Sequence, residues 1–189
     1  MIPADETFDG TWPFAPRFCE AAGFRQHYID EGAGRPIVLL HGQPTWGYIY
    51  RRFVPELAKT HRVIVPDHMG FGKSETPADR DYTLREHVGN LAALIDHLGL
   101  KDMTLVGQDW GGPIGIGYAV RHPEKIHSVA LMNTVFGYGA AGRKDLPNPL
   151  ETPWFRWIRD GMDSGRTEAV LSNLGSTILS VMQIVGLER

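Results

Sequence analysis

Apolar and polar positions divide this chain into short buried runs separated by amphipathic stretches. Pro36-Ile37-Val38-Leu39-Leu40 and Arg62-Val63-Ile64-Val65-Pro66 are almost continuously apolar. Such runs suit strands covered on both faces. The first ends at His41-Gly42 and the second at Asp67. Met103-Thr104-Leu105-Val106 and Ile126 to Met132 predict two further strands, and residues 18 to 30, broken at Gly23, an opening hairpin. Trp46 to Lys59 reads as a helix despite Pro55. The clearest helix starts after Thr83, with Leu84, Val88, Leu91, Leu94, Ile95 and Leu98 on one face and Gly99 as its stop. Thr83 and Glu86 have the spacing of a capping box, in which each side chain satisfies a free backbone N–H of the first turn. Another helix follows Gly111-Gly112 as far as His122. Strands alternating with helices predict parallel βαβ units, hence an α/β fold with a mostly parallel sheet flanked by helices.

The pattern also sets expected boundaries. Residues 1–16 are rich in Pro, Phe and acidic groups without periodicity and read as an irregular arm. Residues 17–135 carry the alternating core. From Phe136 the pattern changes: Pro147, Pro149 and Pro153 break a loop, Trp154, Phe155, Trp157 and Ile158 follow, and helical segments run to the end. Residues 136–189 therefore read as a partial helical cap inserted after the sixth strand.

Composition narrows the function classes. The 189 residues, 42% hydrophobic and 22% charged, suit a globular domain. The formal net charge of −3 and the lack of a basic stripe argue against nucleic acid as a partner. A single cysteine, Cys19, excludes an intrachain disulfide and counts against a thiolate metal cluster. The N-terminus lacks the positive residues and apolar run of a signal peptide. Ala169 to Leu187 is uncharged, but Ser172, Asn173, Gly175, Ser176, Ser180, Gln183 and Gly186 make it a buried or amphipathic helix rather than a membrane span. The expectation is a cytoplasmic protein without membrane partner, metal or organic cofactor.

Chemistry concentrates where strands end. Gly107-Gln108-Asp109-Trp110-Gly111 has the glycine spacing of a nucleophile elbow, a sharp strand-to-helix turn that pushes its central side chain into a cleft, with Asp109 where serine often sits. An Asp before a helix is often only an N-cap. Here it follows a buried strand and lies between correctly spaced glycines, which favours the elbow. His41-Gly42-Gln43-Pro44-Thr45-Trp46 ends an earlier strand, as the loop that gives one backbone N–H to an oxyanion hole. The residue after the nucleophile gives the other, so the expected donors are Gln43 and Trp110. Asp67-His68-Met69-Gly70-Phe71-Gly72-Lys73-Ser74 reads as architectural, its glycines serving turns; it lacks the spacing of a phosphate-binding loop.

Together these stretches resemble the α/β-hydrolase superfamily and, within it, the haloalkane dehalogenases. The likeness covers residues 20 to 135 and extends more loosely to the end. Its specific marks are His41-Gly42-Gln43-Pro44-Thr45-Trp46 and Gln108-Asp109-Trp110-Gly111-Gly112. Epoxide hydrolases share the Asp-Trp-Gly-Gly portion. The resemblance implies an α/β-hydrolase fold and hydrolytic dehalogenation through an aspartyl ester. Attack by a serine on an alkyl halide would leave a stable ether, whereas a carboxylate leaves an ester that water can cleave. The Trp110 indole N–H, a pure donor, would help hold the halide. The family's second halide donor falls at Gln43, commonly an Asn there; Gln keeps the amide N–H₂ with one methylene more reach. Phe136, Trp154, Phe155 and Trp157 are candidates for an apolar pocket under the cap, or for the cap's own core. The expected partners are a small apolar organic substrate and a halide ion.

The resembled mechanism also needs a histidine base and a third acid, which come late in the chain. The histidines after Asp109 are His122, which ends the elbow helix, and His127, which starts a strand, and neither is placed as a base. His41 reads as structural, and His27, His61, His68, His87 and His97 as surface or packing residues. Where some dehalogenases carry the acid just after the sixth strand, this chain has Asn133. The expectation is a chain truncated within the cap, lacking the C-terminal strands and the machinery for turnover. Epoxide hydrolysis by the same nucleophile is the alternative reaction; it wants cap tyrosines, and beyond Tyr118 the sequence has only Tyr138. A non-catalytic fragment that alkylates once is the third reading.

Overall fold

The computed structural model describes residues 2–134 and Asp160. Asp160 belongs to one compact unit, Gly137–Arg189, and residues 2–134 belong to another, spanning Met1–Phe136. Its strands are β1 (Arg17–Cys19), β2 (Gln26–Glu31), β3 (Pro36–Leu40), β4 (Arg62–Pro66), β5 (Met103–Gln108) and β6 (Ile126–Met132). They form one sheet in the order β1-β2-β4-β3-β5-β6. The β1–β2 and β2–β4 pairs are antiparallel, while β3–β4, β3–β5 and β5–β6 are parallel. This is the α/β architecture that the apolar runs predict, and β3 and β4 are buried through nearly their whole length.

The longest helix of the described residues, α2 (Leu84–His97), presents Val88, Leu91, Leu94 and Ile95 to a core shared with Val38, Leu40, Ile64, Leu105, Ile114 and Tyr118. Leu84, expected on that face, is 42% exposed. Thr83 caps the helix by accepting from the Glu86 N–H at 3.2 Å. The reciprocal half of the capping box is not formed, because the Glu86 carboxylate takes the guanidinium of Arg80 (Nε at 3.0 Å) instead. A charge-assisted bond to Arg outcompetes one to a neutral backbone N–H.

The expected helix from Trp46 to Lys59 is a correction. A 3₁₀ turn at Gly47–Tyr50 is followed by a single-turn helix α1 (Val54–Leu57) with Pro55 in its first turn. Proline has no N–H to give and its ring collides with the carbonyl four residues back, so it starts a helix and cannot continue one. The elbow helix α3 (Gly111–Ala119) also stops short of His122, and Pro123–Lys125 forms a 3₁₀ turn.

Residues 2–16 contain no strand or helix and are mostly exposed, yet the stretch is anchored at Trp12 and by Lys73. Trp12 is fully buried and packs edge-on against Phe14 (4.8 Å) and Trp46 (5.1 Å). The buried Lys73 amine donates to the carbonyls of Ala4 (2.8 Å) and Glu6 (2.7 Å). The expected cap, residues 136–189, and with it Phe136, Trp154, Phe155 and Trp157, lies outside the described residues apart from Asp160.

Candidate active site

β3 and β5 lie side by side and run parallel, with Leu40 opposite Gly107. Their C-terminal ends therefore release the chain at the same edge of the sheet, and the two sequence motifs meet there. Asp109 follows the last residue of β5 and precedes α3, with φ +50°. An L-residue in this left-handed region costs roughly 1–2 kcal/mol and persists only where the surroundings hold it. Two hydrogen bonds to the Asp109 carbonyl do so, from Gly112 N–H (3.0 Å) and from the Thr134 hydroxyl (2.5 Å) just beyond β6. Close packing explains two of the glycines. A Cβ on Gly111 would stand 2.1 Å from the Leu40 carbonyl oxygen, and one on Gly42 would stand 2.4 Å from Asp109 Oδ1.

The carboxylate is half-buried and oriented. Gln43 N–H donates to Asp109 Oδ1 at 2.9 Å, which leaves the second carboxylate oxygen free of that bond. Trp110, the other expected donor, stands at the start of α3 and is 39% exposed. Among the described residues its N–H and indole make no hydrogen bond to the carboxylate. Gln43 and Trp110 both border a cleft of about 120 Å³ whose other walls are Gly42, His68, Phe71, Tyr82, Leu84, His87 and Ile114.

The loop beneath is built from imidazoles. His41 is fully buried, and its Nε2 accepts the His68 backbone N–H at 2.9 Å, so that nitrogen is bare and Nδ1 carries the proton it gives to the Gly42 carbonyl (2.9 Å). His68 Nε2 stands 2.9 Å from the His41 carbonyl, an acceptor, so the proton of neutral His68 is on Nε2. The rings are 4.2 Å apart. Burial holds His41 below its ordinary pKa, against the opposing charge of Asp67. His68 lies well below, through burial and then repulsion from His41 and His87, and burial also lowers His87. All three are neutral at pH 7.

Asp67, expected to be architectural, is completely buried and accepts from His27 Nδ1 (2.8 Å), Gly47 N–H (2.9 Å) and Lys73 N–H (2.8 Å). Sequence pattern does not assign Phe71, Tyr82, Leu84 or His87 to the cleft: Leu84 is expected on the apolar face of its helix, Phe71 in an architectural loop and His87 as a surface or packing residue. A usable signal was their place: His68 and Phe71 follow the C-terminal end of β4, the edge where open α/β sheets bind ligands. His122 lies 3.7 Å from Glu124 and His127 lies 3.3 Å from Asp102. Among the described residues no group of His, Cys, Asp and Glu has a metal-binding arrangement, and no helix is long and apolar enough to cross a membrane.

The sequence pattern of the alpha/beta hydrolase fold family matches residues 35–177, about three quarters of the chain. The chain belongs to the α/β-hydrolase fold family. Among curated relatives of this α/β-hydrolase, a cis-3-alkyl-4-alkyloxetan-2-one decarboxylase of Shewanella oneidensis is 44% identical over 153 residues, covering 79% of this chain and 46% of that protein. Haloalkane dehalogenase 2 of Mycobacterium tuberculosis is 42% identical over 125 residues, covering 66% of this chain and 44% of that protein. Among solved structures, a tetrameric haloalkane dehalogenase of Paraglaciecola agarilytica superposes with TM-score 0.70 and 33% identity over 81% of this chain and 52% of that one. This α/β-hydrolase is thus similar to haloalkane dehalogenases and to an oxetanone decarboxylase, and it spans less than half the length of these two curated relatives.

Proposed function

We propose that this chain carries the alkylation site of a haloalkane dehalogenase, with Asp109 as nucleophile. The observation that supports this best is the left-handed Asp109, its Oδ1 tied to the N–H of Gln43, which together with Trp110 lines a mostly apolar cleft. One carboxylate oxygen held by a fixed donor leaves the other to attack. That oxygen forms a bond to the halogen-bearing carbon as the carbon–halogen bond breaks, and the halide departs with the electron pair. The Trp110 indole N–H and the Gln43 side-chain amide are the donors we assign to the leaving halide, and a dry apolar surround strengthens them. Once the ester has formed, the Gln43 N–H already lies on its carbonyl oxygen, where negative charge develops when water adds. In this reading residues 17–135 supply the core, 136–189 the cap, and Phe136, Trp154, Phe155 and Trp157 the outer pocket. Neither His122 nor His127 is assigned as the base for ester cleavage, so the expected product is one halide per chain.

The test is bromide released per folded chain from excess 1-bromobutane, read with the mass of the protein. About one bromide, with a butyl adduct on Asp109 and none in Asp109→Ala, supports the proposal. Bromide release that survives in Asp109→Ala removes the nucleophile assignment.

The oxetanone decarboxylase relative, 44% identical, favours a second reading in which the same carboxylate opens a strained four-membered lactone. Alkene and carbon dioxide formed from a cis-3,4-dialkyloxetan-2-one, with no bromide from bromobutane, would select it. Styrene oxide in the same series tests the epoxide reading.

A further inference from the structure

The Gln43 N–H reaches the nucleophile through a single bond of 2.9 Å, and Gln43 lies exposed in a loop, just before Pro44. Something must aim that N–H. The planar peptide between Gly42 and Gln43 joins the N–H rigidly to the Gly42 carbonyl on its opposite side, so fixing one fixes the other. The Gly42 carbonyl receives three donors: His41 Nδ1–H at 2.9 Å, the Thr45 N–H at 3.1 Å and the Thr45 hydroxyl at 3.0 Å. His41 is in turn locked by the His68 backbone N–H on its other nitrogen.

We propose that Thr45 is a positioning residue: with His41 it clamps the Gly42 carbonyl and thereby aims the Gln43 N–H at Asp109. The role rests on the reading of Asp109 as nucleophile, and it goes beyond that reading by giving work to a residue whose hydroxyl bonds the Gly42 carbonyl rather than the carboxylate. Thr45 bonds the carbonyl through both backbone and side chain, so its hydroxyl can be removed while the turn stays. Valine matches threonine in shape and lacks that donor, whereas serine keeps the donor and drops the methyl.

The experiment compares the full chain with Thr45→Val and Thr45→Ser. It follows the first-order rate of the bromide burst, the bromobutane concentration at half-maximal rate, and amide hydrogen exchange of Gln43. Loss of one hydrogen bond predicts a burst about three- to tenfold slower in Thr45→Val at unchanged half-saturation. The Gln43 exchange should be faster by a similar factor, toward that of Asp109→Ala, and serine should restore both. Unchanged Gln43 exchange in Thr45→Val overturns the clamp, as does a serine variant as impaired as valine, which would assign the effect to packing. If the unaltered chain gives no burst, the nucleophile reading fails while the clamp is still decided by Gln43 exchange. Should the valine variant lose its cooperative thermal transition, Thr45→Ala removes the same hydroxyl with less bulk and is read the same way.

Discussion

Asp109 sits at φ +50°, and the strain stored there is measurable apart from the chemistry. The comparison is Asp109→Gly against Asp109→Ala. Both variants lose the carboxylate and its bond from Gln43 N–H (2.9 Å), so those losses cancel between them. What differs is the backbone. Alanine keeps a Cβ and pays the left-handed cost of roughly 1–2 kcal/mol, which glycine avoids. Glycine gives back about 0.4–1 kcal/mol through its larger unfolded-state entropy. The net expectation is that the glycine variant is more stable by about 0.5–1 kcal/mol. With a urea slope of about 2 kcal/mol per M, the unfolding midpoint of the glycine variant should be higher by roughly 0.25–0.5 M. Urea titrations followed by far-UV circular dichroism resolve such a difference. A midpoint for alanine equal to or above that of glycine would refute the strained elbow, because alanine is otherwise the better residue next to a helix. Neither variant should release bromide.

Three more outcomes follow from the same geometry. Trp110→Phe removes the indole donor from the cleft edge; at 39% exposure it should slow the bromide burst about ten- to a hundredfold, and an unchanged rate would remove Trp110 from halide stabilisation. His41 and His68 are neutral in the folded chain with pKa values below the ordinary 6.5, so below pH 6.5 the unfolded chain binds more protons and stability falls with pH; above 6.5 their contribution is fully present. Thermal midpoints from pH 5 to 8 should show this decline, and His68→Gln should flatten it. Trp12→Ala empties a fully buried site against Phe14 and Trp46 and should cost about 3–5 kcal/mol in urea unfolding, whereas a loosely attached N-terminal arm would lose almost nothing.

Much of the fold was legible in the sequence because its central strands are covered on both faces. Ile37 to Leu40 and Val63 to Pro66 are apolar at every position, so their runs stand out whatever the loops do. The meeting of the Gln43 loop with Asp109 could be read from two motifs that each end a strand. Other features depend on partners distant in sequence. Trp12 looks like any aromatic in a polar arm until Phe14 and Trp46 enclose it. Glu86 has the spacing for a capping box, but Arg80 offers a stronger partner. The helix expected across Trp46 to Lys59 despite Pro55 is a 3₁₀ turn and then a single helical turn with Pro55 at its start. The cleft wall was the least legible part: Phe71 and Tyr82 come from the long loop between β4 and α2 and His87 from α2, and nothing in local spacing brings them together.

The sheet order explains why a candidate site can be compact in sequence. The chain leaves β3 toward β4 on one side, then returns to place β5 on the other, so the connections diverge at β3 and open a crevice at the strands' C-terminal ends. Gln43 hangs from β3, Asp109 from β5 and Thr134 from β6, the next strand, whose Met132 is paired with Gln108. Those three neighbours supply the donor to the carboxylate, the carboxylate and the donor to its backbone carbonyl. Among the described residues, the bonds that orient Asp109 come from Gln43, Gly112 and Thr134. Alkylation asks nothing more of the protein than an oriented carboxylate and donors for the leaving halide, whereas cleavage of the ester needs a base and an acid. The two halves of the proposed reaction therefore make different demands, and bromide counted per protein tells them apart: about one reports alkylation alone, whereas many report ester cleavage as well.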